Sequence, residues 1–271
     1  MIAGMRPIRI AAQLHPQQGS WQQLRRAAVE ADAIGYDILY TWDHFSPLYG
    51  DPDGAHFECW SLLAAWADCT SRIELGPLVA CNSYRNPNLV ADIARTIDHV
   101  SGGRVIMGLG AGWFERDYLR YGYDFTTRGR RIRALERAVP QIIDRLGSLN
   151  PPPLRRMPIL IAGTGLTLTL PIVARHADAW HAFFPDRPAE VEPAVEALLR
   201  HCAEIGRDPT EIEWSVGVDP DDLDRFLAEA STYVEMGFTQ FTLGFNGPDW
   251  NVAAGAAFLA WRDRMNEARA A

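Results

Sequence analysis

The chain has 271 residues, 48% hydrophobic and 22% charged, which suits one large globular domain. Its formal net charge of −8 argues against a nucleic-acid or membrane-surface partner, because both attract basic faces. There is no apolar run long enough for a transmembrane helix, and the N-terminal residues lack the apolar core of a signal peptide. The four cysteines form no C-x-x-C pair. We therefore expect a cytoplasmic protein.

Strand-like and helical runs alternate along the chain. The predicted strands are Ile8–Gln13, Tyr36–Trp42, Ile73–Cys81, Arg104–Gly110, Ile159–Gly163, Ala179–Phe183, Glu213–Val218 and Gln240–Gly244. The predicted helices are Trp21–Ile34, Trp60–Cys69, Pro87–His99, Arg128–Leu146, Leu168–His176, Ala189–Glu204, Asp221–Met236 and Val252–Ala270. Strict alternation predicts a parallel sheet, and about eight units predict a closed (β/α)8 TIM barrel over 1–271 rather than an open Rossmann-like sheet. The active site of such a barrel lies at the C-terminal ends of the strands.

The second predicted strand ends in Trp42, Asp43, His44 and Phe45. Histidine titrates near neutral pH, which suits His44 to general acid or base catalysis with Asp43 beside it. The alternative is a histidine packed in a loop with Asp43 capping a turn, and the residues alone leave both open. Because neighbours on a strand point to opposite faces, only one of the two faces a pocket if the strand continues through Asp43.

The third predicted strand continues into Asn82 and Arg85, and Pro87 then opens a helix, a position that proline favours. A buried strand and a capped helix explain most of this segment. They leave the polar side chains of Asn82 and Arg85 unexplained, so both are candidate site residues.

Glycines share one face of the fourth predicted strand, at Gly108 and Gly110. Backbone without side chains leaves room for a planar cofactor ring, although tight barrel packing would use the same pattern. The fifth predicted strand ends at Ala162 and continues into 163–165, Gly-Thr-Gly, before a helix. Backbone N–H groups at a helix N-terminus bind phosphate, so this turn is a candidate phosphate site, with a plain βα turn as the alternative.

Two further patterns favour ordinary explanations. The arginines in 128–137 are typical of a solvated helix face. His56 and Glu58 could suggest metal ligands, but the first strand carries Gln13 and His15 instead of the paired histidines of a binuclear hydrolase barrel, so we expect no metal.

Taken together, these residues resemble the luciferase-like monooxygenase superfamily, and most closely its members that use the deazaflavin coenzyme F420. The motifs that carry the resemblance are Trp42-Asp43-His44-Phe45, Leu75-Gly76-Pro77-Leu78-Val79, Asn82-Ser83-Tyr84-Arg85-Asn86-Pro87, Ser101-Gly102-Gly103-Arg104, Gly108-Leu109-Gly110-Ala111-Gly112-Trp113, Tyr121-Gly122, Ala162-Gly163-Thr164-Gly165 and Ala177-Asp178-Ala179-Trp180. They run in order from the second strand to the sixth and are much less specific for substrate than for the superfamily.

The resemblance implies a cofactor ring across the barrel mouth, a cofactor phosphate near Gly163–Gly165, and a non-prolyl cis peptide at Leu78–Val79. It also implies that His44 acts on the substrate, with Asp43 beside it. By motif position the cofactor-binding residues are Leu78, Val79, Ala80, Asn82, Gly110, Ala111, Gly112, Trp113, Ala162, Gly163, Thr164 and Gly165.

The chain departs from this pattern at two places. Some relatives carry an acidic residue where this chain has Trp113, and Glu115 is displaced from that position, which puts an acid role for it in doubt. The segment 147–158 is shorter than in many relatives, which should leave the site more open.

The resemblance implies hydride transfer between F420 and a small organic substrate. The alternatives are an FMN-dependent monooxygenase, a non-catalytic cofactor-binding protein and a metal-dependent barrel hydrolase. Because F420 has an acidic tail, Arg85, Arg155 or Arg156 are expected near the mouth. Many members of the superfamily are dimers, so a homodimer is expected.

Overall fold

The computed structural model describes residues 6–183, 185 and 187–270. Its single sheet contains nine parallel strand segments: β1 Arg9–Leu14, β2 Ile38–Thr41, β3 Glu74–Pro77, β4 Ala80–Cys81, β5 Met107–Gly110, β6 Ile159–Ala162, β7 Ala179–Ala182, β8 Glu213–Val218 and β9 Phe238–Phe245. The segments follow the order β3-β2-β1-β9-β8-β7-β6-β5-β4. β3 and β4 are two parts of one barrel strand, so the predicted TIM barrel of eight strands is confirmed.

The third barrel strand closes the barrel because each of its two segments, β3 and β4, pairs with the strand that contains β5. Leu75 in β3 forms a parallel bridge with Val105, and β4 pairs Ala80 with Leu109. Between the two segments, the peptide bond Leu78–Val79 is cis, at the position that the resemblance implied.

Helices surround the barrel: α1 Trp21–Ile34, α2 Cys59–Cys69, α3 Pro87–Ser101, α4 Glu115–Tyr121, α5 Arg128–Ser148, α6 Thr169–His176, α7 Pro188–Ile205, α8 Leu223–Met236 and α9 Ala256–Ala270. Eight correspond to the predicted helices, the last of which begins with a 3-10 turn at Val252–Gly255. The short helix α4 was not predicted. Among the described residues, no helix combines the length and apolar character that crossing a membrane requires.

The interior of the barrel is filled by side chains. One apolar cluster lies inside the ring, and a larger one lies between the strands and the helices. The inner cluster comprises Ala11, Ile38, Tyr40, Leu78, Ile106, Leu160, Ala162 and Ala179. A barrel of this size holds a packed core, so a ligand must bind at its mouth.

The opposite, N-terminal end of the barrel carries an ionic network. Arg9 pairs with Glu213 (3.2 Å) and with Glu74, which also pairs with Arg155. Arg156 pairs with Asp178 (2.7 Å) just before β7. The expectation that Arg155 or Arg156 lies near the mouth is therefore wrong. Both belong to the loop that precedes β6 at the N-terminal end of the barrel, where they form ion pairs with Glu74 and Asp178.

Candidate active site

Three loops at the C-terminal end of the barrel bring the chemically active side chains together. His44 follows β2, the helix α4 follows β5, and the turn Gly163–Gly165 follows β6. The site residues predicted from sequence lie in these loops and on the β3–β4 strand between them.

An imidazole–carboxylate pair forms the centre of the site. His44 Nδ1 lies 2.9 Å from Asp117 Oδ2, and the same oxygen accepts hydrogen bonds from the Phe45 N–H (3.0 Å) and the Tyr84 hydroxyl (3.3 Å). Burial acts to raise the pKa of Asp117, but the hydrogen bonds from His44 and from the Phe45 N–H hold it below its ordinary value. Asp117 is therefore ionised and orients His44 through Nδ1, which leaves Nε2 for another partner.

Asp117 was not predicted from the sequence because it lies in α4, a helix of 7 residues whose pattern is too short to recognise. Glu115, whose acid role was in doubt from the sequence, is the exposed first residue of the same helix. The one sequence feature that could have indicated Asp117 is its place as an acidic residue shortly after the glycine-rich end of the fourth predicted strand.

Aromatic rings surround His44. Trp42, Trp113 and Phe114 contact it edge-to-face, with ring centroids 5.9, 5.7 and 5.4 Å away. Only 13% of the His44 side chain remains exposed. These contacts leave the imidazole in a largely apolar pocket that opens beside Trp113.

Asp43 points away from this pocket. Its Oδ2 accepts hydrogen bonds from Arg85 Nη1 (2.6 Å) and from the Cys81 N–H (3.0 Å), and Arg85 also reaches Glu58 (2.7 Å). Burial disfavours the charged form of Arg85, but the Asp43 carboxylate keeps its pKa above the ordinary value. These contacts favour a positioning role for Asp43, and its catalytic role stays a prediction. Arg85 lies at the mouth, as expected, but two carboxylates already neutralise it.

The strand glycines make room for the protein's own backbone. A Cβ on Gly108 would collide with the Pro77 carbonyl oxygen, and one on Gly110 would lie 2.5 Å from Val79 Cγ2. The alternative of tight barrel packing is therefore the correct explanation of both glycines, and the open slot is not present beside them. The half-buried side chain of Val79 covers Gly110 and itself faces the mouth.

The loop after β5 continues this surface. Gly112 has a φ of 80°, and a Cβ there would meet Tyr118 and Cys81, so only glycine fits. Half-buried Ala111 and exposed Trp113 flank it. Asn82 is also half-buried, and its N–H donates to the Gly110 carbonyl (2.9 Å), which ties β4 to the end of β5.

The turn after β6 is the predicted phosphate site. Gly163 has a φ of 125° and donates its N–H to the His181 carbonyl (3.0 Å), and Thr164 is exposed. The first N–H groups of α6, those of Thr169 and Leu170, both donate to the Gly165 carbonyl (3.0 Å each), so a phosphate would depend on the exposed turn and not on the helix start. Arg128 Nη2 lies 3.5 Å from the position of a Cβ on Gly165. Arg128, one of the arginines interpreted from the sequence as a solvated helix face, therefore lies beside this turn.

Two buried histidines face the barrel interior, and neither was predicted as a site residue. His181 Nδ1 contacts Ser215 Oγ (2.8 Å) and His15 Nδ1 contacts Asn246 Oδ1 (2.8 Å). Neither Nε2 has a partner among the described residues. Burial lowers the pKa of His181 to about 3 and that of His15 to about 4, so both rings are neutral.

The residues at the mouth test whether a cofactor fits. The half-buried side chain of Val79 and the turn at Gly163–Gly165, with Arg128 beside it, suit a planar heterocycle that carries a phosphate. The Nε2 atoms of His15 and His181 are closed off from solvent, so they take no part in this fit. No cluster of three or more potential metal ligands occurs in the described part of the chain.

Residues 1–221 match the family model of the luciferase-like monooxygenases. The chain belongs to this family of oxidoreductases and monooxygenases, which confirms the resemblance. A phthiodiolone/phenolphthiodiolone dimycocerosates ketoreductase from Mycobacterium tuberculosis is 28% identical over 245 residues, which are 78% of this chain and 64% of that protein. The match therefore spans slightly less than two thirds of that relative.

Two solved structures share the fold. An F420-dependent secondary alcohol dehydrogenase in complex with an F420-acetone adduct gives a TM-score of 0.80 at 17% identity, covering 92% of this chain and 96% of the other. A riboflavin lyase with modified FMN gives 0.75 at 12% identity, covering 98% and 92%. At these identities the likeness establishes the barrel and does not assign a cofactor.

Proposed function

We propose that this protein is an F420-dependent oxidoreductase that transfers a hydride between the deazaflavin and a small organic substrate. The observation that carries the proposal is the His44–Asp117 pair in a largely apolar pocket at the C-terminal end of the barrel, the end at which the turn Gly163–Gly165 also lies. A proton-transfer group and an anion site at one barrel mouth are the two protein elements that this chemistry requires.

In the proposed complex, Val79 and Ala111 border the ring, and the Gly163–Gly165 turn binds the phosphate with Arg128 alongside. When bound, the deazaflavin supplies a ring carbon that accepts or releases a hydride. The protein excludes water around His44 through Trp42, Trp113 and Phe114.

His44 moves the proton that accompanies the hydride. In the neutral state its Nδ1–H donates to Asp117, so the Nε2 lone pair takes the proton of a substrate hydroxyl as that substrate is oxidised. In the reverse direction, the imidazolium donates from Nε2 to the oxygen that becomes a hydroxyl, and Asp117 stabilises the positive charge.

The test is the pair of variants His44→Ala and His44→Gln. We expect turnover to fall by roughly 10²–10⁴, while the dissociation constant of the cofactor, measured by its fluorescence, stays within about threefold because other residues bind it. Unchanged turnover in both variants would remove His44 from the mechanism.

The second candidate is an FMN-dependent monooxygenase, which is favoured by the fold likeness to a riboflavin lyase bound to modified FMN. It predicts that FMN binds and that oxygen is consumed in proportion to substrate. A non-catalytic binding protein, in contrast, would bind either cofactor tightly without turnover. The expected homodimer stays a prediction, which the mass of the protein in solution tests.

A further inference from the structure

The pocket around His44 offers a substrate aromatic faces. Trp113 is 64% exposed although its ring contacts both His44 and Phe114. Tyr49, which is 56% exposed, contacts Trp42 on the other side of the imidazole. Large aromatic side chains left in water beside a reactive group provide stacking area for an apolar ligand.

The cations near this pocket are already engaged. Arg85 pairs with Asp43 and Glu58, Arg116 pairs with Asp53 (3.1 Å), and Arg120 hydrogen-bonds to Ser46 Oγ (3.3 Å). None of these guanidinium groups is left over for an anionic substrate.

The neighbouring imidazoles do not supply positive charge either. Burial lowers the pKa of His56 to about 4, with a further contribution from His44, and burial lowers that of His15 to about 4. The carboxylate of Asp117 lies directly behind His44 in this pocket, and the Asp43 carboxylate already holds Arg85. A charged carboxylate or phosphate would lose its water there and meet like charge without a compensating partner.

Resting on the proposed function, we propose that the substrate is an uncharged carbonyl compound, or the corresponding alcohol, with an apolar substituent that packs on Trp113. In the reductive direction, the carbonyl carbon gains a hydride from the reduced deazaflavin, and the carbonyl oxygen gains a proton from His44 Nε2. The products are the alcohol and the oxidised deazaflavin, and the reverse reaction follows the same atoms.

The experiment supplies the F420-loaded, reduced protein with three methyl ketones: 4-phenyl-2-butanone, acetone and 4-oxopentanoate. The first is apolar, the second is small and neutral, and the third carries a carboxylate. Oxidation of the cofactor is followed by its absorbance. We expect kcat/KM for 4-phenyl-2-butanone to exceed that for 4-oxopentanoate by at least about tenfold, because its ring stacks on Trp113 and its apolar chain is buried, whereas the carboxylate loses its water without a partner.

A matched pair of variants tests whether Trp113 determines the substrate preference. Trp113→Ala should lower the ratio of kcat/KM for 4-phenyl-2-butanone to that for acetone by about tenfold. Leu119→Ala, at a residue of α4 that is 70% exposed, should leave this ratio unchanged. Cofactor affinity is measured in both variants, so that a change in F420 binding is separated from a change in substrate preference.

Binding without turnover gives an independent readout. In saturation-transfer NMR with the oxidised, F420-loaded protein, the phenyl protons of 4-phenyl-2-butanone should receive saturation in the wild type and lose most of it in Trp113→Ala. Preference for 4-oxopentanoate, or equal effects of Trp113→Ala and Leu119→Ala, overturns the proposed substrate class alone. Reduction of none of the three ketones by protein that binds F420 likewise overturns the substrate class alone, whereas failure to bind F420 overturns the proposed function with it.

Discussion

His44 Nδ1 lies 2.9 Å from Asp117 Oδ2, and these two residues come from different loops, 73 positions apart in the chain. The barrel brings them together because the loops after β2 and β5 both lie at its C-terminal mouth. The contact leaves His44 Nε2 as the atom that can exchange a proton with a substrate.

Asp117→Asn should lower kcat by about 10- to 100-fold, since a hydrogen bond to a charged group contributes about 1.5–3 kcal/mol. The amide can no longer stabilise a positive imidazole, whereas substrate binding does not depend on it, so KM should change much less than kcat. Steady-state kinetics measure both constants. Asp117→Glu keeps the charge and should recover part of kcat; an equal loss in the two variants would indicate a merely structural role.

The buried histidines predict a pH dependence of stability. The pKa of His181 is about 3 in the folded chain, against 6.5 for an unperturbed histidine, so the unfolded state binds more protons between these limits. The free energy of unfolding therefore falls as the pH drops below 6.5, by about 1.4 kcal/mol per pH unit for each such residue.

His181→Gln should remove one such contribution to the slope. Chemical denaturation at several pH values between 6.5 and 5 measures the slope of the unfolding free energy against pH. Most carboxylates titrate below this range and contribute little to the slope. Thr242→Val, at a buried residue without an ionisable group, is the control and should keep the wild-type slope. Parallel slopes for the wild type and His181→Gln would show that His181 is not a buried neutral ring.

Gly108→Ala should destabilise the protein by about 1–3 kcal/mol or more, because the new Cβ collides with backbone instead of with a movable side chain. Gly147→Ala is the matched control: no atom lies within 4 Å of its Cβ position in α5, and alanine should stabilise the helix there by about 0.5–1 kcal/mol. The midpoint of urea unfolding compares the two. A neutral Gly108→Ala would show that the third strand can move away from β5.

Arg128→Gln should weaken F420 binding about fivefold, which corresponds to about 1 kcal/mol for an exposed ion pair. Fluorescence titrations in low and high salt measure this, and the variant should also lose part of the salt dependence. Arg130→Gln is the control on the same helix. Equal effects of the two substitutions would mean that Arg128 contributes only to the general charge of the surface.

Much of the architecture was predictable because strand and helix alternate with clear periodicity. The eight barrel strands and the eight main helices are present, and so is the cis peptide at Leu78–Val79, which the resemblance implied and the periodicity did not. The places of His44 and of the turn at Gly163–Gly165 at the barrel mouth were predictable as well, since each comes after a strand end, and their roles stay predictions.

The rest depended on contacts between segments far apart in the chain. Nothing in the local pattern shows that Asp117 accepts a hydrogen bond from His44, or that Arg128 lies beside Gly165. Likewise, the glycines of β5 suggest open space until the position of Pro77 on the neighbouring strand is known. Arg155 was assigned to the wrong end of the barrel because its charge, and not the direction of its loop, guided the prediction.

The central claim is that the barrel mouth binds F420 for hydride transfer, and the most direct test is a titration of the purified protein with F420 and with FMN, followed by ring fluorescence. We predict saturable binding of F420 with one ring per chain, weaker binding of FMN, and no oxygen uptake with the reduced deazaflavin. Saturable binding of FMN with substrate-dependent oxygen uptake, or binding of neither cofactor, would contradict this account.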